Sequence, residues 1–273
     1  MPELPEVETI RRQLAPVVEG RTIEAADVSD ARWVLPLRPA TFERRVTGRS
    51  IESLERRGKY FVFKLDDGSA LLMHLRMTGN LLYLDGSDDE QRSHLRGQLW
   101  LEDGGSLAFV DPRRFGTAEL VKSTDEYFAT RLGPEPFGED FNGELLHRLT
   151  RKRKTPVKAI LLDQKTVAGV GNIYADEALY RAGIAPQKRA ARLTRAQCDA
   201  LAETVRDALN AGIDAKGASI DDFRDAYGVQ GSFQDQFLVH LREGLECPSC
   251  GAPVIKTRVA GRGTYYCRNC QKP

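Results

Sequence analysis

Two groups of residues in this chain have the types and spacing of chemistry. The first is its start, Met1-Pro2-Glu3-Leu4-Pro5-Glu6. A small residue after an initiator methionine favours removal of that methionine, which leaves Pro2 with a free secondary amine. An α-amino group titrates near pH 8, roughly, so a useful fraction is neutral and nucleophilic at physiological pH. Such an amine can attack the C1′ of a sugar and form a cationic iminium, with Glu3 beside it to move protons. Amine and carboxyl together make a compact unit for covalent catalysis. The plainer reading is an ordinary flexible terminus, and retention of Met1 would turn the nitrogen into an inert amide.

The second group is at the other end. Cys247-Pro-Ser-Cys250 and Cys267-Arg-Asn-Cys270 flank sixteen residues. Two Cys-x-x-Cys pairs at this spacing read as a zinc site. Four thiolates close a tetrahedron and leave no open position, so the expected Zn2+ is structural. Two disulfides or a redox pair are the minor alternatives. Residues 253–257 and 264–266 read as short strands around Gly261-Arg262-Gly263, a ribbon hairpin with an arginine at its tip. The segment 247–273 holds Lys256, Arg258, Arg262, Arg268 and Lys272 and no acidic residue. A finger of that charge suits phosphates.

The elements that must position these groups fall into three parts. Residues 6–19 read as an amphipathic helix with Val7, Ile10, Leu14, Val17 and Val18 on one side, a kink expected at Pro16 and a stop at Gly20. Eight β-rich runs follow, at 22–28, 50–56, 60–65, 70–75, 80–84, 98–101, 106–110 and 117–121. Turns such as Asp66-Asp67-Gly68 and Asp103-Gly104-Gly105 separate them. Closely spaced strands point to an antiparallel sandwich or barrel. Residues 132–143, rich in Gly, Pro and acids, read as a linker. The pattern is then helical to about Gly217, with Leu201, Val205 and Leu209 at four-residue spacing. Cys198, three residues before the first of them, reads as core and not as a metal ligand.

Composition bounds the function without naming it. The chain has 273 residues, 41% apolar and 29% charged, with a net charge of only +1. That is room for two cores and no global basic signal. Affinity for nucleic acid would have to come from local clusters. One exists: Arg148, Arg151, Lys152, Arg153 and Lys154, although such runs are usually just a solvated face. No signal peptide and no membrane-spanning apolar run is apparent. Paired thiols in a zinc pattern suit a reducing cytosol.

Four segments, in order, resemble the formamidopyrimidine-DNA glycosylase family. They are MPELPEVETIRR at the start, DPRRFG at 111–116, GVGNIYADEAL at 169–179 and GRGTYYCRNCQ at 261–271. Each alone is weak; the ordered set is specific. The resemblance implies a multidomain α+β fold: an N-terminal antiparallel β-sandwich with an N-terminal helix, a helical helix–two-turn–helix domain and a C-terminal zinc-ribbon β-hairpin. It implies a catalytic sandwich domain over 1–131, a linker over 132–143, a DNA-binding domain over 144–243 with a lesion loop near 219–233, and a zinc finger over 244–273. DNA would lie across the cleft between the domains. The implied partner is damaged double-stranded DNA, met by a monomer in the cytoplasm at the nucleoid, with no membrane involved.

The same resemblance implies roles. Pro2 is the nucleophile and Glu3 the proton carrier in removal of oxidised purines, 8-oxoguanine and formamidopyrimidines, followed by β,δ-elimination of the strand. Lys59, in RRGKY, matches the lysine assigned to β-elimination, and Arg262 the arginine assigned to δ-elimination. Lys and Arg at neutral pH are mainly cations that position phosphate, so a clamp of Lys59, His74, Arg114, Asn172 and Arg262 is the physical description. Met77, Arg113 and Phe115 match residues that fill the gap left by an everted base. His94, Arg153 and Lys158 match positions near DNA. Gly169 and Gly171 permit a tight turn, and the helix after them offers its N-terminus to an anion. Taken without the family, His74 reads equally well as a buried structural histidine. Two other readings stand beside this one. One is the endonuclease VIII type, acting on oxidised pyrimidines, which typically has glycine where this chain has Leu4. The other is a zinc-ribbon protein that binds DNA without catalysis.

Overall fold

The first helix, α1 (Leu4–Val18), begins two residues before the hydrophobic periodicity predicts. Glu3 is its N-cap. The Glu3 side chain accepts from the Glu6 backbone, and Glu6 reaches back to the Glu3 N–H at 2.7 Å. This reciprocal cap, with Pro5 in the first turn, fixes the start. Leu4, Val7, Ile10, Leu14 and Val18 are all buried. Pro16 does not end the helix, which stops at Val18 before Gly20, whose φ is +79°.

The computed structural model describes residues 1–86, 93–220 and 222–273. They form two compact units, Met1–Phe128 with Ala215–Ser232, and Ala129–Asp214 with Phe233–Pro273. In the first unit, α1 is followed by β1 (Ile23–Asp27), a 3-10 turn (Ala31–Val34), α2 (Pro39–Val46), β2 (Ile51–Arg57), β3 (Tyr60–Leu65), β4 (Ala70–His74), β5 (Asn80–Leu84), β6 (Leu95–Leu101), β7 (Ser106–Val110) and β8 (Thr117–Val121). The strands pair antiparallel in two four-stranded sheets, ordered β1-β6-β7-β5 and β2-β3-β4-β8. Side chains of α1 and of both sheets share one apolar core. All eight expected strands are present.

Strand β6 starts three residues earlier than its pattern suggests. The register shifts between Leu95 and Gly97, a bulge that breaks the alternation. A Cβ at Gly97 would run into the Trp33 ring, so the residue least suited to a strand is the one the core requires there. Edge strand β5 is covered by the 215–232 segment, where the Tyr83 N–H donates to the Ala226 carbonyl at 2.8 Å, which occupies a group an edge would otherwise leave open. Phe223 and Ala226 of that segment enter the core.

The second unit carries α4 (Gly143–Thr150), α5 (Val157–Leu162), α6 (Asn172–Arg181) and α7 (Arg195–Asp214), then the hairpin β9 (Ile255–Val259) and β10 (Arg262–Tyr266). A short α3 (Thr124–Ala129) precedes them. Cys198 is buried in α7, as its spacing predicts. No described helix is long and apolar enough to cross a membrane.

Candidate active site and DNA interface

In the N-terminal unit, Pro2 is buried while Met1 is 42% exposed. Glu3 is 2% exposed, held by the cap it forms on α1. Glu6 had no assigned role, yet it ties this terminus to a distant segment. Its Oε2 accepts from the Glu3 N–H, and its Oε1 accepts from the Ala218 N–H at 2.8 Å. Gly217 makes this approach possible: its φ is +83°, and a Cβ there would lie 2.9 Å from the Glu6 Cγ. The Glu-x-x-Glu spacing of a capping box was the sequence signal.

Lys59 is the second residue of the two-residue β2–β3 turn, after Gly58 at φ +57°, and is buried. The register places its neighbour Tyr60 opposite His74, with the two rings edge to face at 4.5 Å. Lys59 and His74 therefore share one end of the sheet. His74 is buried, and its Nδ1 accepts the Arg76 N–H at 2.9 Å. Burial, then the charges of Arg76 and Lys59, push its pKa well below the ordinary histidine value. The ring is neutral, with its proton on Nε2. A folded pKa below the unfolded one means the unfolded chain binds the extra proton. Stability from His74 is thus complete above about pH 6.5 and falls as pH drops below it, by up to about 1.4 kcal/mol per pH unit. His74→Asn should flatten that acid limb in urea melts between about pH 6.5 and 5; an unaltered limb would refute the assignment.

Met77, Arg113 and Phe115 are gathered by a residue whose role was not foreseen, Asp111. Its carboxylate is fully buried and accepts from Thr78 Oγ1 at 2.5 Å and from the backbone N–H groups of Arg113, Phe115 and Gly116 at 3.1, 2.8 and 2.7 Å. Thr78 belongs to the turn that carries Met77, so Asp111 joins both turns. Arg113 and Phe115 are exposed, the guanidinium 5.1 Å from the Phe115 ring centre. Arg114, at φ +61°, turns the other way, and its Nε donates to Asp30 at 2.5 Å. That guanidinium, ahead of other causes, holds the Asp30 carboxyl below its usual range. His94 is exposed, at φ +66°.

This divergence sharpens the expected behaviour of the pair. Arg113→Ala should weaken dependence on the base opposite the lesion, each lost base-directed contact being worth about 1–3 kcal/mol. Arg114→Ala should lower binding to all duplexes alike and reduce the salt slope by about one. Titrations with 8-oxoguanine opposite C and opposite A, at several salt concentrations, separate the two; a reversal of the two behaviours would require the roles to be swapped.

The 219–233 segment is internally bonded, although Asp221 lies outside the described residues. The Asp225 carboxylate accepts from the N–H groups of Tyr227 and Val229 and from Gln13 of α1. Tyr227 and Val229 stay exposed.

In the second unit, Gly169 takes φ +84° and Gly171 caps α6. Asn172 sits at the first position of α6, but its Nδ2 donates to the Gly263 carbonyl at 3.0 Å. Lys158, expected near DNA, is 0% exposed. Its Nζ lies 2.7 Å from Asp176 and donates to Thr264 Oγ1 at 2.8 Å and the Gly263 carbonyl at 3.1 Å. Both residues point at the hairpin. Arg153 and the rest of the basic run 148–154 are largely exposed.

The hairpin turn is displaced from its expected place. Ala260 and Gly261 take φ of +50° and +76°, the paired positive values of a two-residue turn matched to strand twist. Arg262 is therefore the first residue of β10, paired with Val259, and is exposed beside the turn. The four hairpin-flanking cysteines place their sulfurs within 4.8 Å of one another, with Cys247–Cys270 at 3.8 Å and Cys250–Cys267 at 3.5 Å. Tetrahedral Zn–S bonds of about 2.3 Å put sulfurs roughly 3.8 Å apart, and disulfide sulfurs would lie about 2 Å apart. The donor set fits one structural zinc and neither disulfide pairing.

Comparison with known proteins identifies the chain's relatives. The chain matches the formamidopyrimidine-DNA glycosylase N-terminal domain over residues 1–118, the H2TH domain of the same proteins over 132–224, and a zinc finger found in FPG and IleRS over 244–273. Formamidopyrimidine-DNA glycosylases of Desulforamulus reducens and Bacillus licheniformis are 41% and 42% identical to it over 276 and 279 residues, covering 100% of this chain and 99% and 100% of theirs. Two solved structures of the Lactococcus lactis protein share 36% identity with it. One is a mutant in complex with DNA containing Fapy-dG, at a TM-score of 0.92 over 100% of both chains. The other is bound to DNA containing an abasic site, at 0.92 over 99% of this chain and 100% of that one. With its three domains matched in order and relatives aligned end to end, the chain belongs to the formamidopyrimidine-DNA glycosylase family.

Proposed function

We propose that this protein is a bifunctional DNA glycosylase and AP lyase of base excision repair that removes oxidised purines, 8-oxoguanine and formamidopyrimidines, from double-stranded DNA. The observation that carries the reading is the end-to-end family match joined to a buried Pro2 followed by a helix-capping Glu3. The Pro2 nitrogen attacks C1′, the damaged base leaves, and Glu3 protonates the opening sugar ring. The resulting iminium acidifies the C2′ protons. Loss of one expels the 3′-phosphate, and a second elimination expels the 5′-phosphate. Lys59, His74, Arg114, Asn172 and Arg262 form the phosphate clamp, with Lys59 and Arg262 assigned to the first and second eliminations. Met77, Arg113 and Phe115 fill the vacated stack. His94 and Arg153 contact DNA, whereas Lys158 acts from inside through the hairpin. The zinc orders the finger and takes no part in bond breaking, since four thiolates leave it no open position.

Leu4 and the full wedge set of Met77, Arg113 and Phe115 favour purines over the pyrimidine lesions of the endonuclease VIII type. A monomer acting on DNA in the cytoplasm suits this reading. Duplexes carrying 8-oxoguanine or an oxidised thymine, followed by analysis of strand ends, test it. The 8-oxoguanine strand should be cut to a one-nucleotide gap with phosphate on both flanks. Preferential cutting at the thymine lesion would move the protein to the other branch, and binding without cutting would leave a DNA-binding zinc ribbon.

A further inference from the structure

A group of buried polar side chains lies behind the finger arginine, and of its charged members only Lys158 has an assigned role. Asp176 is on α6, four residues after Asn172 and so on the same face. Its Oδ1 faces Lys158 Nζ at 2.7 Å, and its Oδ2 accepts from His240 Nδ1 at 2.8 Å and from the Tyr265 N–H at 3.3 Å. The next residue, Glu177, is fully buried and accepts the backbone N–H groups of Leu238, Val239 and His240 at 3.1, 3.0 and 2.9 Å. The turn bearing His240 is thus fixed to α6. The His240 ring meets Phe237 and Tyr265 edge to face, at 5.3 and 5.1 Å.

The network converges on the strand that begins with Arg262. Lys158 and Asn172 both donate to the Gly263 carbonyl, and Thr264, which accepts from Lys158, donates back to the Arg262 carbonyl at 3.1 Å. A two-stranded hairpin on its own leaves its end free to twist. Here the backbone that follows the Arg262 Cα is held by the buried Lys158 and Thr264 and the partly buried Asn172. Lys158 keeps its place because Asp176 balances its charge, and Asp176 keeps its place because His240 and Tyr265 occupy its second oxygen. A buried charge pair completed in this way is costly to leave half made.

We propose that Asp176 and His240 are positioning residues for Arg262, setting where its guanidinium stands for the second elimination. The proposal rests on the lyase reading above and deepens it. It predicts a selective defect. His240→Phe keeps the ring packing and removes the bond to Asp176. On duplexes with 8-oxoguanine or a preformed abasic site, the ratio of β,δ- to β-elimination products should fall about tenfold, the scale of a small misplacement of a catalytic group. Base release and zinc content should stay unchanged. His240→Asn, whose amide can stand where Nδ1 was, should restore the ratio, and Asp176→Asn should reproduce the defect. An unchanged ratio in both His240→Phe and Asp176→Asn, alongside a lowered ratio in Arg262→Ala, overturns the proposal and leaves the lyase reading intact. Loss of zinc with base release and ratio falling together also overturns it, because a purely structural role does that. If Arg262→Ala does not change the ratio, the arginine's assignment fails first, and this inference with it.

Discussion

Protein that keeps Met1, or carries any added N-terminal residue, will not be trapped on damaged DNA by borohydride. Protein beginning at Pro2 will be trapped, because reduction turns the iminium into a stable amine. The chemistry needs a nitrogen lone pair, and an amide nitrogen has none to give. The expected loss of turnover is large, at least about 10⁴-fold, on the order found when a covalent nucleophile is removed. Pro2→Gly is a gentler change, since glycine keeps a terminal amine, and should retain some trapping. The intact mass of the trapped and untrapped fractions decides the matter. An adduct that maps to an internal lysine, or one formed by protein still bearing Met1, would sink the assignment.

The second large effect is loss of the zinc. Cys267 is buried in the apolar cluster of Tyr180, Val239, Cys247, Val254 and Tyr265. Cys267→Ser or Cys250→Ser should release the metal, whose binding in comparable fingers is worth about 10–16 kcal/mol of folding free energy. A two-stranded hairpin does not survive alone in water, so β9 and β10 should unravel and Arg262 should lose its support. DNA affinity should fall by about a hundredfold, or roughly 2.7 kcal/mol. Cadmium fits the same thiolates and should leave activity largely intact. Fluorescence titration with labelled duplex and metal analysis of the variants provide the check. Activity that followed the Lewis acidity of the metal would refute a structural role.

Much of the first unit was legible because its elements obey period rules. Strands β3, β5, β7 and β8 begin and end where alternation and turn residues place them. The zinc ligands were legible for a related reason, since metal geometry forces a spacing. What escaped notice was short or long-range. Helix α2 buries only Phe42 and Val46, too little for a periodic signal, and Pro39 in its first turn was its one mark. Asp111, Asp176 and His240 act through bonds to residues far away in the chain, or to backbone, and no local pattern announces such partners; for Glu6 the capping-box spacing announced its bond to Glu3 but not the one to Ala218. Lys158 carries a charge that composition reads as surface; the Asp176 carboxylate beside it, with the Thr264 hydroxyl and the Gly263 carbonyl, makes its burial tolerable. The tip of the finger was misplaced because Ala260 adopts a positive φ, a conformation that its side chain does not advertise.

The tie from Glu6 to Ala218 spans 212 residues of sequence. Its consequence appears on the ribosome. The unit that contains Pro2 needs Phe223 and Ala226 in its core and Ala226 along the edge of β5. Those contacts are not yet available when β8 emerges. Roughly a hundred further residues must first be made, several seconds to about twenty at ordinary elongation rates. Throughout that interval the Oε1 of Glu6 awaits its Ala218 partner and the nascent N-terminus is not yet packed into its finished surroundings. On the proposed mechanism, removal of Met1 would then take place on an open chain, and the Pro2 amine would be enclosed only when the late segment arrives. If Pro2 is the nucleophile, the order of synthesis would separate its exposure from the completion of the site that uses it.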